Sequence, residues 1–395
     1  MILHWIWLAE RPNLGAVRAG TLLARFGTAE AIYQTSDEDL ARAGVSAAVR
    51  RSLSDRDLAG AEAIYTACRT AGIRVLVPGD GEYPERLRQL SDAPVVLYAV
   101  GRMPDPEKAP CIGLVGARRA DARGLTLARR LGWQIAGCGG TVVTGMALGI
   151  DGEGALGALD RGGPVIGVLG CGVDVVYPKK NAAIFARVAE SGCLISEYPP
   201  GAAPISGRFP ARNRIISALS DGVVVVQASA DSGALITARW AADQGRDVFA
   251  VPGPAGDPLS RGCNDLLRSG ALLAECGWDV LREYEYRYPA AVREYHGRPP
   301  AEAVSAAEPP APAKLARQPK QSAQPASEPS APARDWSGLP EPQRRIAESL
   351  SNGPLQLDAL IDRTGLPAAQ VLSQLTLLEL RGVVRRDPGK IYTLK

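Results

Sequence analysis

The chain has 395 residues, of which 22% are charged, and a formal net charge of +3. This length predicts two or three domains, and the charge is too small to identify a nucleic-acid partner unless the basic residues are concentrated locally. His4 and His296 are the only histidines, and both lie outside the glycine-rich centre of the chain, which argues against imidazole catalysis and a His-ligated metal there. We therefore expect neither a metal nor a cofactor.

The cysteines and the hydropathy of the chain indicate its compartment. Seven cysteines are spread without a Cys-x-x-Cys pair, which is typical of buried, reduced thiols in a cytosol. The first residues, MILHWIWLAERP, are apolar only briefly and lack the basic start of a secretory signal. No stretch approaches the roughly 20 apolar residues that span a bilayer. The sequence therefore predicts a soluble, cytoplasmic protein without a membrane segment.

Residues 1–71 have the pattern of a small helical domain. Apolar residues recur at helical spacing, and Ser and Asp residues stand where helices would begin. Leu14 and Gly15, followed by a helix and the sequence RFG, suggest a helix-hairpin-helix, whose turn amides can approach a phosphate. Ordinary packing of a helix connection is the alternative.

The pattern changes between residues 72 and 285, where continuous Val, Ile and Leu runs alternate with amphipathic helices. The apolar runs include CIGLVGA, GTVVTGM, PVIGVLG, GCLISEY and GVVVVQA. Such runs are typical of strands buried on both faces, so this segment is predicted to form an α/β, Rossmann-like doubly wound parallel sheet. Ligands of these sheets bind at the carboxyl ends of the strands.

The last two segments differ from the sheet domain in composition. Residues 286–335 are dominated by Pro, Ala, Ser and Gln, and we expect a disordered linker. Residues 336–395 have the pattern of three helices and a hairpin with an Asp-Pro-Gly-Lys turn, which is the arrangement of a winged helix. Its third helix has almost no positive charge before Arg381, which favours a protein-contact or accessory role over DNA reading. The polar positions of that helix are Gln370, Ser373, Gln374, Thr376 and Glu379.

Cationic and amide-rich sites follow the strands of the sheet domain. In GLVGARRADARG, Gly116 lets the backbone approach an anion and Arg118 adds a forked cation. The stretch RFPARNRIISALS offers two arginines and an asparagine at the start of a helix that leads into a buried strand. The principal candidates for anion binding are Gly116, Arg118, Lys179, Arg212, Asn213 and Arg214, and the secondary ones are Arg119, Lys180, Arg208, Phe209, Ser232 and Gly233.

These sites together favour a nucleic-acid strand over a single nucleotide. One nucleotide needs one phosphate cradle, whereas a strand uses several and tolerates any base through stacking. Asp151 is the best candidate for a catalytic carboxylate, but an Asp at a helix start that accepts from backbone amides is the commoner case. Lys179 and Lys180 are alternatively a solvated surface, and Phe209 is equally suited to stack on a base or to pack in the core.

Several long motifs of the sheet domain follow one another in a characteristic order, among them VVTGMALGID, VLGCGVDVVYPKKN, FPARNRIISALSDGVVVVQA and SGALITARWAADQGRDVFAVPG. In this order they resemble the DNA-processing protein A (DprA, or Smf) family of bacteria. The resemblance implies a SAM-like amino-terminal domain, a Rossmann-like domain and a carboxyl-terminal winged helix. It further implies a non-enzymatic protein that binds and protects incoming single-stranded DNA, forms a homodimer, and loads the RecA recombinase during natural transformation.

The resemblance also assigns roles to individual residues. Arg118, Lys179, Arg212 and Arg214 match family positions implicated in DNA binding, and the region from Asp265 to Leu273 matches the self-association region. The chain departs from the family at four places, since the family usually has Ser or Thr near Asp121, Arg in place of Leu148, His near Ala155, and Glu in place of Gln227.

Two other functions remain as alternatives. Nucleotide phosphoribohydrolases share this variety of Rossmann-like fold, and they carry a PGGxGTxxE motif that supplies a catalytic Glu. The most similar stretch of this chain, VPGPAGDP, has no such carboxylate. A transcription regulator would need sequence-specific duplex binding by residues 336–395, and the uncharged third helix argues against it. A single-stranded DNA-binding mediator of recombination is therefore the leading hypothesis.

Overall fold

The computed structural model describes residues 1–300 and most of 340–394, with gaps at residues 352, 367–369, 372–373, 376, 379–382 and 388–390. The chain divides into two compact units, Met1–Lys314 and Leu315–Lys395, and each is described by itself. The part of the predicted linker from residue 301 to 335 lies outside the described residues.

Residues 1–71 fold into short helices, as their pattern predicts. The helices are α1 (Ile2–Ala9), α2 (Gly15–Phe26), α3 (Ala29–Gln34), α4 (Asp37–Arg42), α5 (Ala47–Leu53) and α6 (Ala59–Thr70). Thr28 caps α3, because its hydroxyl accepts from the N–H of Ala31. Ser36 caps α4 in the same way, with the N–H of Asp39 as donor.

The helical region shares its core with the sheet instead of forming a separate domain. Ile6, Trp7 and Leu8 of α1 are buried in the same hydrophobic cluster as Tyr98 and Ile112 of the sheet. The expected division at residue 71 is therefore a change of secondary structure within one packed unit, since a single cluster of side chains continues across it.

The sheet has nine strands in the order β1-β2-β6-β5-β4-β3-β7-β8-β9. The strands are β1 (Arg74–Leu76), β2 (Leu97–Gly101), β3 (Cys111–Val115), β4 (Thr141–Thr144), β5 (Val165–Leu169), β6 (Cys193–Ser196), β7 (Gly222–Val225), β8 (Asp247–Ala250) and β9 (Leu272–Leu273). All pairs from β6 to β9 are parallel, which confirms the predicted Rossmann-like sheet. The pairs β1–β2 and β2–β6 are antiparallel, an addition that the apolar runs did not reveal.

Helices follow most strands of this sheet. They are α7 (Glu85–Arg88), α8 (Ala122–Gly137), α9 (Ile150–Asp160), α10 (Ala182–Ser191), α11 (Arg208–Leu219), α12 (Ala234–Asp243), α13 (Arg261–Arg268) and α14 (Gly277–Leu281). α8 packs on α9 and α11 packs on α12. The α8–α9 contact requires glycine, because a Cβ on Gly132 or Gly157 would collide with a backbone carbonyl of the other helix.

The side of β3 on which the chain adds strands changes between β6 and β7, so the strand order reverses at the β3–β7 pair. The chain leaves β3 for β4, β5 and β6 on one side of it, and later places β7 and β8 on the other side. Such a reversal opens a crevice outside the carboxyl ends of the two central strands. Here those ends are in register at Val115 and Val225.

The packed unit extends beyond residue 285, where the sequence predicts the linker to begin. Tyr288 and Val292 belong to the hydrophobic core, and the indole Nε1 of Trp133 donates to the hydroxyl of Tyr295 over 3.0 Å. Tyr288 also accepts a hydrogen bond from the buried Arg86. The boundary at residue 286 was wrong, because the aromatic residues that follow it bury their side chains against α8 and the sheet.

The second unit contains α15 (Glu341–Leu350), β10 (Leu355–Gln356), α16 (Leu357–Thr364), β11 (Val384–Asp387) and β12 (Ile391–Leu394), with further helical residues between 370 and 378. The three strands pair in the order β10-β12-β11, so the predicted hairpin gains a third strand. Leu360, Val371, Leu375 and Tyr392 are part of its core. Ser373, Thr376 and Glu379 and the turn at 388–390 lie outside the described residues.

Substitution of Tyr288 tests the new boundary. We expect Tyr288→Ala to lower the free energy of unfolding of the first unit by about 3 kcal/mol, because it removes a buried aromatic ring and a partner of Arg86. The measurement is chemical denaturation. Tyr286, whose side chain is 99% exposed, provides the control, and Tyr286→Ala should change the same free energy by less than about 0.5 kcal/mol. Equal effects of the two substitutions would contradict the assignment of this segment to the core.

Candidate nucleic-acid interface

A cavity of about 360 Å³ lies at the reversal point, beside the carboxyl end of β3. Its walls come from the turn after β3, the start of α9, the first turns of α11 and the start of α12. The predicted residues that it brings together are Gly116, Arg118, Phe209, Arg212, Asn213, Ser232 and Gly233. Residues from four separate parts of the chain therefore converge on one opening.

Gly116 keeps the inner wall of the cavity clear of a side chain. A Cβ at this position would lie 2.6 Å from Cγ1 of Ile150 and 2.9 Å from the carbonyl oxygen of Gln227. The next residue, Ala117, donates its N–H to that same carbonyl over 2.7 Å. The turn after β3 is thus fixed against its neighbours, and only glycine fits there.

Arg212 lies in the cavity wall and is only 3% exposed. Its Nη1 donates to the carbonyl of Val168 over 2.7 Å, whereas its buried Nε has no hydrogen-bond partner among the described residues. Burial lowers the pKa of Arg212 to about 10, so the guanidinium remains protonated at neutral pH. A buried cation with an unsatisfied donor is costly unless an anion meets it.

Asp151 lines the same cavity, and its negative charge acts on the guanidinium of Arg212. Its Oδ2 accepts from the N–H of Gly145 over 3.1 Å and from the N–H of Ala147 over 3.5 Å. A Cβ on Gly145 would collide with the guanidinium of Arg212, so Gly145 lies between the two charges. Burial raises the pKa of Asp151, and the positive charge of Arg212 opposes that shift. Asp151 thus secures the loop after β4 and offsets the charge of Arg212.

Phe209 has two different environments. On one side it packs on the backbone of Gly170, where a Cβ would lie 2.9 Å from its Cδ1. On the cavity side its ring centroid lies 5.4 Å from the guanidinium carbon of Arg118 and 5.5 Å from the ring centroid of Tyr177. Arg118 is exposed, and Tyr177 is 44% exposed. Phe209 is therefore both anchored and partly open, which the sequence left as alternatives.

Lys179 and Lys180 are exposed in a short 3-10 turn, Lys179–Asn181, and do not line the cavity. The turn is attached to the cavity wall by Asn181, whose Nδ2 donates to the carbonyls of Met146 and Ala147, each over 3.0 Å. Sequence reasoning missed this role of Asn181, although it closes the motif YPKKN. The lysines consequently stand at a fixed place beside the loop that Asp151 holds.

Arg214 does not reach the cavity. Its guanidinium donates to both carboxylate oxygens of Glu197, over 2.9 and 2.8 Å, and Nε pairs with Asp92 over 2.8 Å. Burial alone would lower the pKa of Arg214, but the hydrogen bonds of Glu197 and the charges of both carboxylates raise it. With 5% exposure and two acidic partners, its contacts are those of a structural residue.

Two further predicted cations also lie outside the lining of the cavity. Arg208 donates to the carbonyl of Ala203 over 3.0 Å, and its guanidinium carbon lies 4.4 Å from the ring centroid of Tyr198. Arg119 is exposed in the turn before α8. Neither arginine is among the residues that line the cavity.

The positions that depart from the family pattern have separate environments. Asp121 caps α8, with Oδ1 accepting from the N–H of Gly124 over 2.7 Å. Its own N–H donates to Oε1 of the buried Gln227 over 3.1 Å, so these two departures form one hydrogen-bonded unit. Leu148 is 38% exposed in the loop before α9, and Ala155 is buried within that helix.

The described ranges contain neither a cluster of metal-ligating side chains nor a helix that could span a membrane. No group of three or more His, Cys, Asp or Glu side chains there is arranged to hold a metal ion. No described helix combines the length and apolar character needed to cross a bilayer.

Comparison with protein families and known proteins gives matches over most of the chain. Residues 74–285 match the family model described as DNA recombination-mediator protein A, and residues 306–390 match the DprA winged helix domain. Protein Smf of Synechocystis is 33% identical over 320 residues, which cover 80% of this chain and 79% of that protein. DNA processing protein DprA of Streptococcus pneumoniae is 42% identical over 209 residues, covering 52% of this chain and 73% of that protein.

Solved structures agree with these matches. The X-ray structure of DprA from Streptococcus pneumoniae aligns with a TM-score of 0.64 and 32% identity, and the alignment covers 74% of this chain and 99% of that one. A structure of DprA from Helicobacter pylori, described in terms of its single-stranded DNA binding mode, aligns with a TM-score of 0.50 and 29% identity over 55% of this chain and 97% of that one. The chain, with its Rossmann-like sheet and carboxyl-terminal winged helix, belongs to the DNA-processing protein A (DprA/Smf) family of DNA recombination-mediator proteins.

Proposed function

We propose that the chain binds single-stranded DNA at the cavity beside β3 and β7 and acts there as a recombination mediator. The observation that carries this proposal is Arg212, a buried guanidinium whose Nε has no hydrogen-bond partner among the described residues and whose side chain lines an open cavity. A phosphate oxygen in that cavity would accept a charge-assisted hydrogen bond from the guanidinium and neutralise its charge.

The start of α12 supplies the second element of this phosphate site. Ser232 and Gly233 line the cavity immediately before a helix of ten residues, so the amino-terminal end of α12 lies at the opening. Helix N-termini carry a partial positive charge and favour phosphate. Arg212 and the α12 terminus act on one anion from two walls of the same opening, with Asn213 as a neutral donor beside them.

Arg118, Phe209 and Tyr177 form the base-binding part of the proposed site. Aromatic faces stack on any base, and a guanidinium close to such a face contacts both the base and the phosphate. The exposed cations around this platform, Lys179, Lys180 and Arg119, and the half-buried Arg208 then contact neighbouring phosphates. This arrangement grips the backbone and the π-faces of bases, so it favours strands with unpaired bases over a duplex.

Single-stranded DNA binding has support from a relative. The Helicobacter pylori protein, which shares the fold of the sheet domain, is described as a single-stranded DNA-binding DprA. We propose the same ligand for this chain, and with it the family's finer roles in the cytoplasm, namely protection of incoming DNA and loading of RecA during natural transformation. A homodimer through the end of the sheet fits the exposed Leu272 and Leu273 of β9, which are 42% and 50% exposed.

We propose no catalytic reaction for this site. Asp151 is the one carboxylate among the described residues that line the cavity, and its Oδ2 already accepts from two backbone amides. General acid/base chemistry would need a group free to exchange a proton with a substrate. The phosphoribohydrolase alternative would be revived by release of free base from nucleoside monophosphates by the purified protein.

Binding assays with Arg118→Ala test the proposed function. We expect the unaltered protein to bind an oligothymidylate more tightly than a duplex of equal length. Each lost phosphate contact lowers the magnitude of the negative slope of log affinity against log salt by about 0.7, so Arg118→Ala should reduce that magnitude by the same amount. Arg51→Ala, which removes an exposed cation on α5, should leave it unchanged.

Equal binding of single and double strands would contradict the proposed ligand. An unchanged salt slope in Arg118→Ala would instead contradict the place of Arg118 in the site. Adding RecA to the same assay tests the finer role, which predicts faster assembly of RecA on the bound strand.

Asp151 should make DNA binding dependent on pH. A phosphate bound next to Arg212 lies close to Asp151 and disfavours its ionised form, so the complex takes up a proton. Affinity should therefore rise as the pH falls from neutral towards the raised pKa of Asp151, and Asp151→Asn should bind more tightly at neutral pH with a weaker pH response. Titrations at several pH values measure this. Asp121→Asn, which retains the α8 cap, is the matched control and should keep the response. A response retained in Asp151→Asn would show that another group titrates.

Arg214 should affect stability more than DNA binding. Removing it leaves Glu197 and Asp92 largely buried without a cationic partner, and we expect Arg214→Leu to lower the free energy of unfolding by about 3 kcal/mol. Denaturation and DNA titration of the same sample separate the two effects. A folded protein of unchanged stability that has lost DNA affinity would place Arg214 in the DNA site.

A further inference from the structure

A second cavity, of about 410 Å³, lies along α8 beside the end of β8. We call it the α8 groove. It does not share lining residues with the cavity at β3 and β7, and it contains cations that the proposed function has not used. Its lining consists of Arg123, Leu127 and Arg130 on one wall and of residues 251–254 with Glu275 on the other.

The helical wall is set by sequence spacing. Arg123, Leu127 and Arg130 stand four and three residues apart, which places them in one row on a helix. Arg123 is exposed, and Leu127 and Arg130 are half-buried. The row therefore presents two guanidinium groups with an apolar side chain between them.

The opposite wall is a loop held firmly in place. Asn264 donates through Nδ2 to the carbonyl of Gly253 over 3.1 Å and accepts from the N–H of Gly253 over 3.2 Å. A Cβ on Gly253 would lie 3.2 Å from Nη2 of Arg123, so the guanidinium rests close to this backbone. Pro252 and Pro254 flank that point and add an apolar surface to the loop.

The two arginines have unused binding capacity. Arg130 is half-buried and lines the groove, and its Nη2 donates to the neutral backbone carbonyl of Glu275 over 2.8 Å. Neither Arg123 nor Arg130 forms an ion pair within 4.0 Å with a described carboxylate. The carboxylates nearby are Glu275, which lines the groove, and Asp257, whose pKa is lowered mainly by its hydrogen bond from Ser260 and in part by Arg123.

The α8 groove lies on the same edge of the sheet as the first cavity. The carboxyl ends of β3, β7 and β8 are in register at Val115, Val225 and Ala250. Neighbouring strands are about 4.8 Å apart, so the end of β8 is about 10 Å from that of β3. A strand of DNA that leaves the cavity towards β9 passes the loop after β8 and the first turns of α8.

We propose that the α8 groove is a second subsite for the same single-stranded nucleic acid. Arg123 and Arg130 bind phosphates of the nucleotides beyond the first cavity, and Leu127 with the two prolines contacts a sugar or a base. This inference rests on the proposed function, because the strand reaches the groove only if it is already held at β3 and β7.

Oligonucleotides of two lengths test the subsite on the full-length protein. The probes are oligothymidylates of two and about 20 nucleotides, because at about 3.4 Å per nucleotide the dinucleotide is too short to reach the groove, about 10 Å away. With the longer probe, the double variant Arg123→Gln/Arg130→Gln should lower the magnitude of the negative slope of log affinity against log salt by about 1.4, the value for two lost phosphate contacts. With the shorter probe the slope should not change.

Two further variants complete the comparison. Arg25→Gln/Arg69→Gln removes the same charge from exposed positions on α2 and α6 and should leave both slopes unchanged. Arg123→Lys/Arg130→Lys retains the charge and should restore most of the slope for the longer probe. Rescue by lysine distinguishes phosphate binding from a packing role of the two side chains.

Three results would overturn the subsite. An unchanged slope for the longer probe in the glutamine variant would show that no phosphate is bound in the groove. Equal losses for both probes would place the two arginines at the first cavity. A loss that lysine does not rescue would indicate a structural role. Failure of the unaltered protein to bind either probe is a different result, since it refutes the proposed function and the subsite with it.

Discussion

The geometry of the site depends on the burial of one guanidinium. Arg212 needs a counter-charge and hydrogen-bond acceptors inside the protein, and the loop after β4 is built around that need. The carbonyl of Val168 accepts from Arg212, Asp151 offsets its charge, and Gly145 leaves room between them. Asn181 attaches the lysine-bearing turn to the same loop. One electrostatic requirement thereby fixes the start of α9, the turn at Lys179 and the cavity wall.

Helix α11 connects this site to the rest of the unit. Residues two apart on a helix differ in direction by about 200°, so Arg212 and Arg214 point to opposite sides. Arg212 meets the cavity, whereas Arg214 is held by Glu197 and Asp92. A mobile α11 would move Phe209 and Arg212 relative to α12, and the ion pairs of Arg214 oppose that motion. The RNR motif thus contains one proposed DNA contact and one anchor.

Local patterns were enough to predict the parallel sheet, its strand ends and the convergence of Gly116, Arg118, Phe209 and Arg212, because these follow from apolar runs and from the rule that strand ends meet at one edge. The different roles of Arg212 and Arg214 could not be predicted, since Glu197 and Asp92 are far away in the sequence. Composition also placed the start of the linker too early in the chain, because the few buried aromatic residues of this segment, such as Tyr288, change its overall composition very little. The antiparallel pairing of β1 and β2 could not be predicted either, because their apolar pattern is the same as that of parallel strands.

The most direct test of the central claim is the structure of the full-length protein bound to an oligothymidylate. We predict a phosphate oxygen within hydrogen-bond distance of the Arg212 guanidinium, near the start of α12, with a base against the Arg118, Phe209 and Tyr177 platform. Arg214 should keep both acidic partners in that complex. A strand bound elsewhere, with no phosphate in contact with Arg212 in the cavity, would contradict this prediction.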